Sequence, residues 1–171
     1  MTDRMGYLGA MILGCISFAL LAEEGGSSAK SLYTDQGNGI ILDRKNNLLW
    51  QRCNYGQTLK DRRCLNTALR LPRKEAVAFC ATLKLGRTGK DARQRKWRLP
   101  TVEELGSLVR DARRRPSIDL ELFPGTSPFQ YWSHTTFLDD RGLWAYVYSF
   151  EHSYRFGVNK GVFYARCVSK F

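Results

Sequence analysis

Among the residues of this sequence that could bind a ligand or catalyse a reaction, the basic ones are the most strongly clustered. Most of the 27 lysines and arginines lie between residues 60 and 115. Arginine binds sulfate or phosphate through two parallel hydrogen bonds, and lysine adds a mobile positive charge. The candidate ligand-binding residues are Arg87, Lys90, Arg93, Arg95, Lys96, Arg113, Arg114, Arg115, Tyr146 and Tyr148. The clustering predicts a surface that attracts polyanions, and the alternative is a solvated basic face without a specific ligand.

Aromatic side chains in the last third of the sequence offer a second kind of contact, stacking on sugar rings. Tyr and Trp bury large areas, so such rings more often belong to the core. We assign Trp50, Trp97 and Trp132 to the core on this ground. Tyr146 and Tyr148 are kept as candidate surface contacts.

Catalytic chemistry has little support in the sequence. His134 and His152 are the only histidines, and their neighbours Ser133 and Glu151 do not form a recognisable triad. The chain has no nucleophile elbow, zinc-protease motif, phosphate loop or dinucleotide fingerprint. The histidines share no ligand spacing with the cysteines, which argues against zinc. We therefore predict a protein without enzymatic activity, metal or cofactor.

The five cysteines are better explained as disulfide partners. Cys15 lies in an apolar N-terminal run, which leaves the even set of Cys53, Cys64, Cys80 and Cys167. Four cysteines allow three pairings. The simplest of them joins Cys53 to Cys64 locally and Cys80 to Cys167 over a long distance.

The N-terminal segment has the composition of an export signal. An apolar run from Met5 to Ala22 follows a charged start and ends in small residues. We interpret residues 1–22 as a signal peptide and residues 23–31 as a flexible lead-in. An uncleaved membrane anchor is one alternative, and a lipoprotein signal at Cys15 is another. The expected location is therefore the periplasm or the extracellular space, with membrane contact only through this segment if it is retained.

Composition limits the remaining protein to an ordered domain. The chain has 171 residues, 43% of them hydrophobic and 12% aromatic, which is too rich in apolar side chains for a disordered tail. Its mean hydropathy of -0.37 excludes a polytopic membrane protein. The formal net charge of +11 is unchanged when residues 1–22 are removed, because they contain one acid and one base. We expect one domain over residues 32–171.

Short strands and two helices should position these side chains. The sequence predicts a hairpin with strands at Ile40-Ile41-Leu42 and Leu48-Leu49-Trp50. A disulfide-closed loop is predicted to follow over residues 52–70. The first helix begins near Pro72 and is stopped by Gly86, and the second has Thr101 and Glu104 as a capping box. Later strands are predicted at Tyr131–Ser133, Leu143–Phe150, Tyr154–Phe156 and Val162–Val168. This order indicates an α+β domain with both of its ends in one sheet.

Four blocks of this sequence match a known pattern in the same order. They are Thr34 to Gly39 with Leu48-Leu49-Trp50-Gln51-Arg52-Cys53, Trp97-Arg98-Leu99-Pro100-Thr101 with Glu103-Glu104-Leu105, Ile118 to Pro124 with Tyr131-Trp132-Ser133, and Tyr164-Ala165-Arg166-Cys167-Val168. With these blocks the chain resembles the Lcl C-terminal domain family of exported bacterial proteins from about Tyr33 to Val168.

The resemblance implies a fold and a class of partner. The fold is a C-type-lectin-like α+β domain, with two helices packed on a mainly antiparallel sheet and two disulfides, similar to formylglycine-generating enzymes. A named member of the family is an adhesin that binds sulfated glycosaminoglycans. This chain lacks the collagen-like repeats of that adhesin, and His134 stands where the family commonly has Ser.

The expected partner is thus an anionic glycan, lipopolysaccharide or another envelope polyanion. A physiological nucleic acid is not expected, because the export signal places the protein away from it. The alternative function is a structural or protein-interaction subunit of the cell envelope or of a surface appendage.

Overall fold

The computed structural model describes residues 32–86 and 95–171. All of them belong to the unit Ser31–Phe171, which internal contacts separate from Met1–Lys30. The predicted signal segment, residues 1–22, and the predicted lead-in, residues 23–31, lie outside the described residues. The same is true of residues 87–94.

Short antiparallel strands make up most of the secondary structure, together with two short helices. The strands are β1 (Tyr33–Asp35), β2 (Ile40–Asp43), β3 (Leu48–Gln51), β4 (Thr58–Lys60), β5 (Arg63–Leu65), β6 (Leu71–Pro72), β7 (Gln130–Asp139), β8 (Gly142–Ser149), β9 (Tyr154–Val158), β10 (Val162–Phe163) and β11 (Val168–Lys170). The helices are α1 (Arg73–Thr82) and α2 (Val102–Ser107). Within the described ranges, no helix is long and apolar enough to span a membrane.

The strands form several small sheets instead of the one predicted sheet. Strands β1-β2-β3-β11 make a four-stranded sheet and β7-β8-β9 a three-stranded one, while β4-β5 and β6-β10 are two-stranded. The four-stranded sheet contains the first and the last strand, as the sequence predicted. Pairing of Val168 with Trp50 closes it.

The four-stranded sheet is buried on both faces, which explains the uninterrupted apolar run in β2. Ile40 faces a cluster that includes Ala76 of α1, whereas its neighbour Ile41 faces a second cluster that includes Leu105 of α2. Alternation along a strand sends successive side chains to opposite faces. A helix on each side therefore favours apolar residues at Ile40, Ile41 and Leu42, and the last residue of β2, Asp43, is buried as well.

Helix α1 ends at Thr82, four residues before the predicted stop at Gly86. The Thr82 hydroxyl donates to the carbonyl oxygens of Ala78 and Phe79 at 3.0 and 3.1 Å. The backbone of Leu83 is already extended, with φ -63° and ψ 131°. Its side chain packs against the core cluster that contains Ala76. Leu83 therefore packs against the core from an extended backbone, and the predicted helix does not continue to Gly86.

The predicted last strand, Val162–Val168, is in fact two strands in different sheets. β10 pairs with β6 and β11 pairs with β3, so the chain crosses from one sheet to another between them. Residues 52–70, predicted as a loop, also contain the short hairpin β4-β5.

Both predicted disulfides are present. Cys53 is bonded to Cys64 across 11 residues, and Cys80 to Cys167 across 87 residues. The second bond is fully buried and joins α1 to the residue before β11.

Arg166, next to this disulfide, is fully buried. Its Nη1 donates to the carbonyl oxygens of Gln51 and Arg52, and its Nη2 to Asn54 Oδ1 and Thr126 Oγ1, at 2.5–2.8 Å. Burial lowers the pKa of Arg166 to about 10, which leaves it protonated at neutral pH. This guanidinium ties the end of the chain to two loops.

The capping box predicted at the start of α2 is confirmed. The Thr101 hydroxyl accepts from the Glu104 backbone N–H, and the Glu104 carboxylate accepts from the Thr101 backbone N–H at 2.7 Å. The same carboxylate accepts two hydrogen bonds from Arg98, both at 2.7 Å. Burial alone would raise the pKa of Glu104, but these hydrogen bonds outweigh burial and hold it below its ordinary value.

Replacing Glu104 with Gln should lower the free energy of unfolding at pH 7 by about 1–2 kcal/mol, because charge-assisted hydrogen bonds are lost. A carboxyl whose pKa is lowered by folding stabilises above its unfolded pKa of about 4.3, and this stability is lost as pH falls through the native value. Urea unfolding at several pH values should therefore show the difference from the unmodified protein shrinking below pH of about 4. Glu103→Gln is the control, since its pair with Arg155 is exposed and contributes about 0–0.5 kcal/mol. A deficit that is constant with pH would contradict this role.

Candidate anion-binding cleft

A cleft of about 640 Å³ lies at the β11 edge of the four-stranded sheet. Arg98 and Val168 exchange two backbone hydrogen bonds of 2.9 Å, which places residues 95–98 alongside β11. The buried residues Leu49 and Ser169 pair across β3 and β11 and contribute to the lining of the cleft. The segment before α2 is thus held against the end of the chain by main-chain contacts.

Four basic side chains line the cleft, together with two aromatic ones: Arg95, Lys96, Arg98, Lys170, Trp97 and Phe171. Arg98 is neutralised by Glu104 through the two-pronged pair at the start of α2. Arg95, Lys96 and Lys170 form no ion pair within residues 32–86 and 95–171, and no acidic side chain lines the cleft. Three basic side chains with no ion-pair partner among residues 32–86 and 95–171 therefore line one concave surface.

The Arg95 guanidinium lies close to Gly86. A β-carbon at residue 86 would lie 2.5 Å from Nη1 of Arg95, and Gly86 has φ +113°, a conformation that other residues rarely adopt. Residues 86 and 95 therefore touch, although eight residues separate them in the sequence. Arg87, Lys90 and Arg93, predicted as ligand-binding residues, belong to that segment and lie outside the described residues.

Trp97 contributes to the lining of the cleft, but most of its side chain lies in the core. The residue is only 4% exposed, and its Nε1–H is buried without an acceptor in the described part of the chain. Buried donors are normally paired. This N–H group is closed off from solvent, so we assign no ligand contact to it.

Arg113, Arg114 and Arg115 lie elsewhere, in the exposed loop that follows α2. Asp111 pairs with Arg113, and the Arg115 guanidinium donates to the carbonyl oxygens of Ala112 and Arg114. Arg110, at the start of the same loop, pairs with Asp119. The sequence prediction grouped these arginines with Arg95 and Lys96, but they share no lining residue with the cleft, and Arg110 and Arg113 are paired with acidic side chains.

The prediction for Tyr148 as a surface contact is wrong. Tyr148 is 8% exposed, and its ring packs against Phe150 with centroids 5.4 Å apart. Its Cε2 lies 3.3 Å from where a β-carbon of Gly106 in α2 would be. Alternation along β8 turns this ring toward α2 and into the core.

Tyr146 is half-buried on the same face of β8 as Tyr148. The guanidinium of Arg155 lies 5.3 Å from the centre of its ring, and Phe137 packs against it at 4.8 Å. Much of the ring is therefore already in contact with protein. Tyr146 is not part of the cleft lining.

The histidine neighbourhoods do not assemble further catalytic groups in the described residues. Ser133 is buried and its hydroxyl donates to the carbonyl oxygen of Tyr146 at 2.7 Å. Nε2 of His152 lies 3.5 Å from Oε2 of Glu151 on the surface. Across residues 32–86 and 95–171, no group of three His, Cys, Asp or Glu side chains is placed to hold a metal ion.

Comparison with known proteins identifies the domain. The family model described as the Lcl C-terminal domain matches residues 39–169. The chain belongs to the Lcl C-terminal domain family. No curated protein and no solved structure gives a match.

The sequence blocks that resemble the Lcl C-terminal domain family are mainly structural. Leu48–Gln51 is β3, Trp132 donates its indole N–H to the Leu71 carbonyl oxygen at 2.7 Å, and Arg166 and Cys167 hold the end of the chain. One block also contributes Trp97 and Arg98 to the cleft. In this chain, a block that resembles the family therefore lies at the cleft.

Sequence reasoning missed Lys170 and Phe171 as cleft residues. They lie more than seventy residues after Arg95, and only the pairing of β11 with β3 and Arg98 brings them there. The sequence did contain one indication of this position. It predicted that both ends of the domain share one sheet, and a last strand at the edge of that sheet would place Lys170 there.

Proposed function

We propose that this domain is an exported, non-catalytic binding module that recognises anionic polymers through the basic cleft. The ligand class is a sulfated glycan, lipopolysaccharide or another envelope polyanion. The observation that carries the proposal is the cleft itself: three of its basic side chains have no ion-pair partner in the described part of the chain, and its lining there contains no acidic side chain. A concave surface of one charge sign focuses the field and raises the local concentration of the opposite charge.

The proposal of export is supported by the two disulfides, since such bonds persist in oxidising compartments. A C-type-lectin-like arrangement is part of the same proposal. It is supported by the closure of both domain ends into one sheet, with a helix on each side.

Removing three charges from the cleft should weaken binding of a heparin-derived oligosaccharide by about 10- to 100-fold. The variant is Arg95→Gln with Lys96→Gln and Lys170→Gln, and the estimate assumes about 0.5–1 kcal/mol for each exposed ionic contact. Isothermal titration calorimetry at several salt concentrations measures it. The dependence of log K on log salt should also become shallower, because fewer counterions are released.

The matched control is Arg113→Gln with Arg114→Gln and Arg115→Gln, which removes the same net charge from the loop after α2. We expect a loss of only about two- to threefold, from the weaker general attraction. Equal losses in both variants would overturn the assignment to the cleft. Binding that is insensitive to salt, or equal binding of a desulfated oligosaccharide, would overturn the electrostatic model.

The alternative is a structural or protein-interaction subunit of the envelope or of a surface appendage. It is favoured by Leu138 and Leu143, which face each other across β7 and β8 and are 77% and 63% exposed. Stoichiometric binding of one protein partner, with no response to the oligosaccharide, would favour this function.

A further inference from the structure

A second concave site lies between the start of α1 and the turn that joins β9 to β10. Its volume is about 330 Å³, and it shares no lining residue with the basic cleft. Ligand pockets range from about 300 to 1,000 Å³, so this one suits a ligand with a single ring or a short branched chain.

The walls of this pocket are mainly apolar and well fixed. Trp132, Trp144 and Val158 contribute to its lining. Trp132 is held by its hydrogen bond to Leu71 and by edge-to-face packing on Phe163 at 4.8 Å. Rigid apolar walls favour a ligand with an apolar body, because little ordering is needed on binding.

The polar part of the pocket is positively charged. Arg73 and Lys160 line it, with Asn159, and no acidic side chain does. Neither cation has an ion-pair partner among residues 32–86 and 95–171. The charge at this site is therefore available to a ligand.

Arg73 has unused hydrogen-bonding capacity. Its Nη2 donates to the carbonyl oxygen of His134 at 3.2 Å, whereas its Nε is buried and has no acceptor in the described residues. A guanidinium held by one main-chain contact is oriented, and a carboxylate can accept two hydrogen bonds from the Nη groups of an arginine.

We infer that this pocket binds a small apolar carboxylate, with the carboxylate on Arg73 and Lys160 and the apolar group against Trp132, Trp144 and Val158. The inference does not depend on polymer binding at the basic cleft. Two sources share this chemistry: a free organic acid, and the C-terminus of a peptide that ends in an apolar residue.

The experiment titrates the full chain with phenylacetate and follows the tryptophan indole signals in ¹H–¹⁵N correlation spectra. We expect saturable shifts for Trp132 and Trp144 with a Kd of about 1 mM or tighter. Phenylacetamide, which has the same shape without the charge, should bind at least about tenfold more weakly. Equal binding of acid and amide, or no saturable shift, would overturn the inference.

Variants identify the groups that hold the carboxylate. Arg73→Gln and Lys160→Gln should each weaken phenylacetate binding by about fivefold or more, whereas Lys74→Gln, one residue further along α1, should leave it unchanged. If Arg73→Gln loses the dispersed spectrum of the folded protein, Lys160→Gln and Arg73→Lys provide the test. Unchanged binding in the folded variants would overturn the inference.

Two short peptides that end in phenylalanine, one with a free and one with an amidated C-terminus, distinguish a peptide C-terminus from a free organic acid as the ligand. Tighter binding of the free peptide than of phenylacetate supports a chain terminus as the ligand. Binding of phenylacetate with exclusion of the peptide supports a free acid.

Discussion

Replacing Arg166 with methionine is expected to lower the free energy of unfolding by about 3–5 kcal/mol. Methionine fills a similar length but donates no hydrogen bonds, so two carbonyl oxygens and the side-chain oxygens of Asn54 and Thr126 lose their donor. A buried acceptor left unpaired costs about 1–3 kcal/mol. The aromatic contact with Phe123, whose ring centre lies 4.7 Å from the guanidinium carbon, is lost as well.

Urea denaturation of the methionine variant and of two companions tests this role of Arg166. Arg166→Lys keeps the charge, but one ammonium cannot replace two nitrogens that serve separate acceptors, so it should recover less than half of the loss. Arg62→Met removes an exposed arginine that pairs with Asp35, and should cost about 0–1 kcal/mol. A loss below about 1 kcal/mol at residue 166, or full recovery with lysine, would contradict the account.

Loss of the Cys80–Cys167 disulfide is the second large effect that we expect. In the chain-entropy description, a bond across 87 residues stabilises by about 4–5 kcal/mol, and one across 11 residues by about 3 kcal/mol. The double variant Cys80→Ala with Cys167→Ala should therefore be less stable than Cys53→Ala with Cys64→Ala. The buried position of Cys80 and Cys167 adds a packing loss to this difference.

Thermal and urea unfolding of both double variants under non-reducing conditions measures the comparison. Mass spectrometry of each variant should show that the remaining pair is oxidised. If the local bond proves to be the more important one, loop length does not govern the stability of this domain.

Local features of this protein were predictable from sequence because neighbouring residues determine them. The Thr101–Glu104 capping box depends on residues three apart, and the β2-β3 hairpin on the turn between its strands. The Cys53–Cys64 pairing is likewise local, across 11 residues, whereas the Cys80–Cys167 pairing was predicted only as part of the simplest of three possibilities.

Features that depend on distant residues were not predictable in the same way. The split of the last strand into β10 and β11 is decided by their different partners, β6 and β3. The sequence alone does not distinguish Arg166 from the other basic residues, because the groups that bind its guanidinium come from distant loops. For the same reason, the arginines near residues 95 and 113 appeared as one group although their acidic neighbours differ.

The closure of the four-stranded sheet by β11 also sets the order in which this protein can fold. Strand β3 receives its second neighbour only from residues 168–170, and the buried guanidinium and the long disulfide come from residues 166 and 167. The central sheet can therefore be completed only when residues from nearly the whole length of the domain have come together. Contacts over such sequence distances slow folding, because loop closure precedes the gain from pairing. The pairing of residues 168–170 with β3 is thus the long-range contact on which completion of the four-stranded sheet depends.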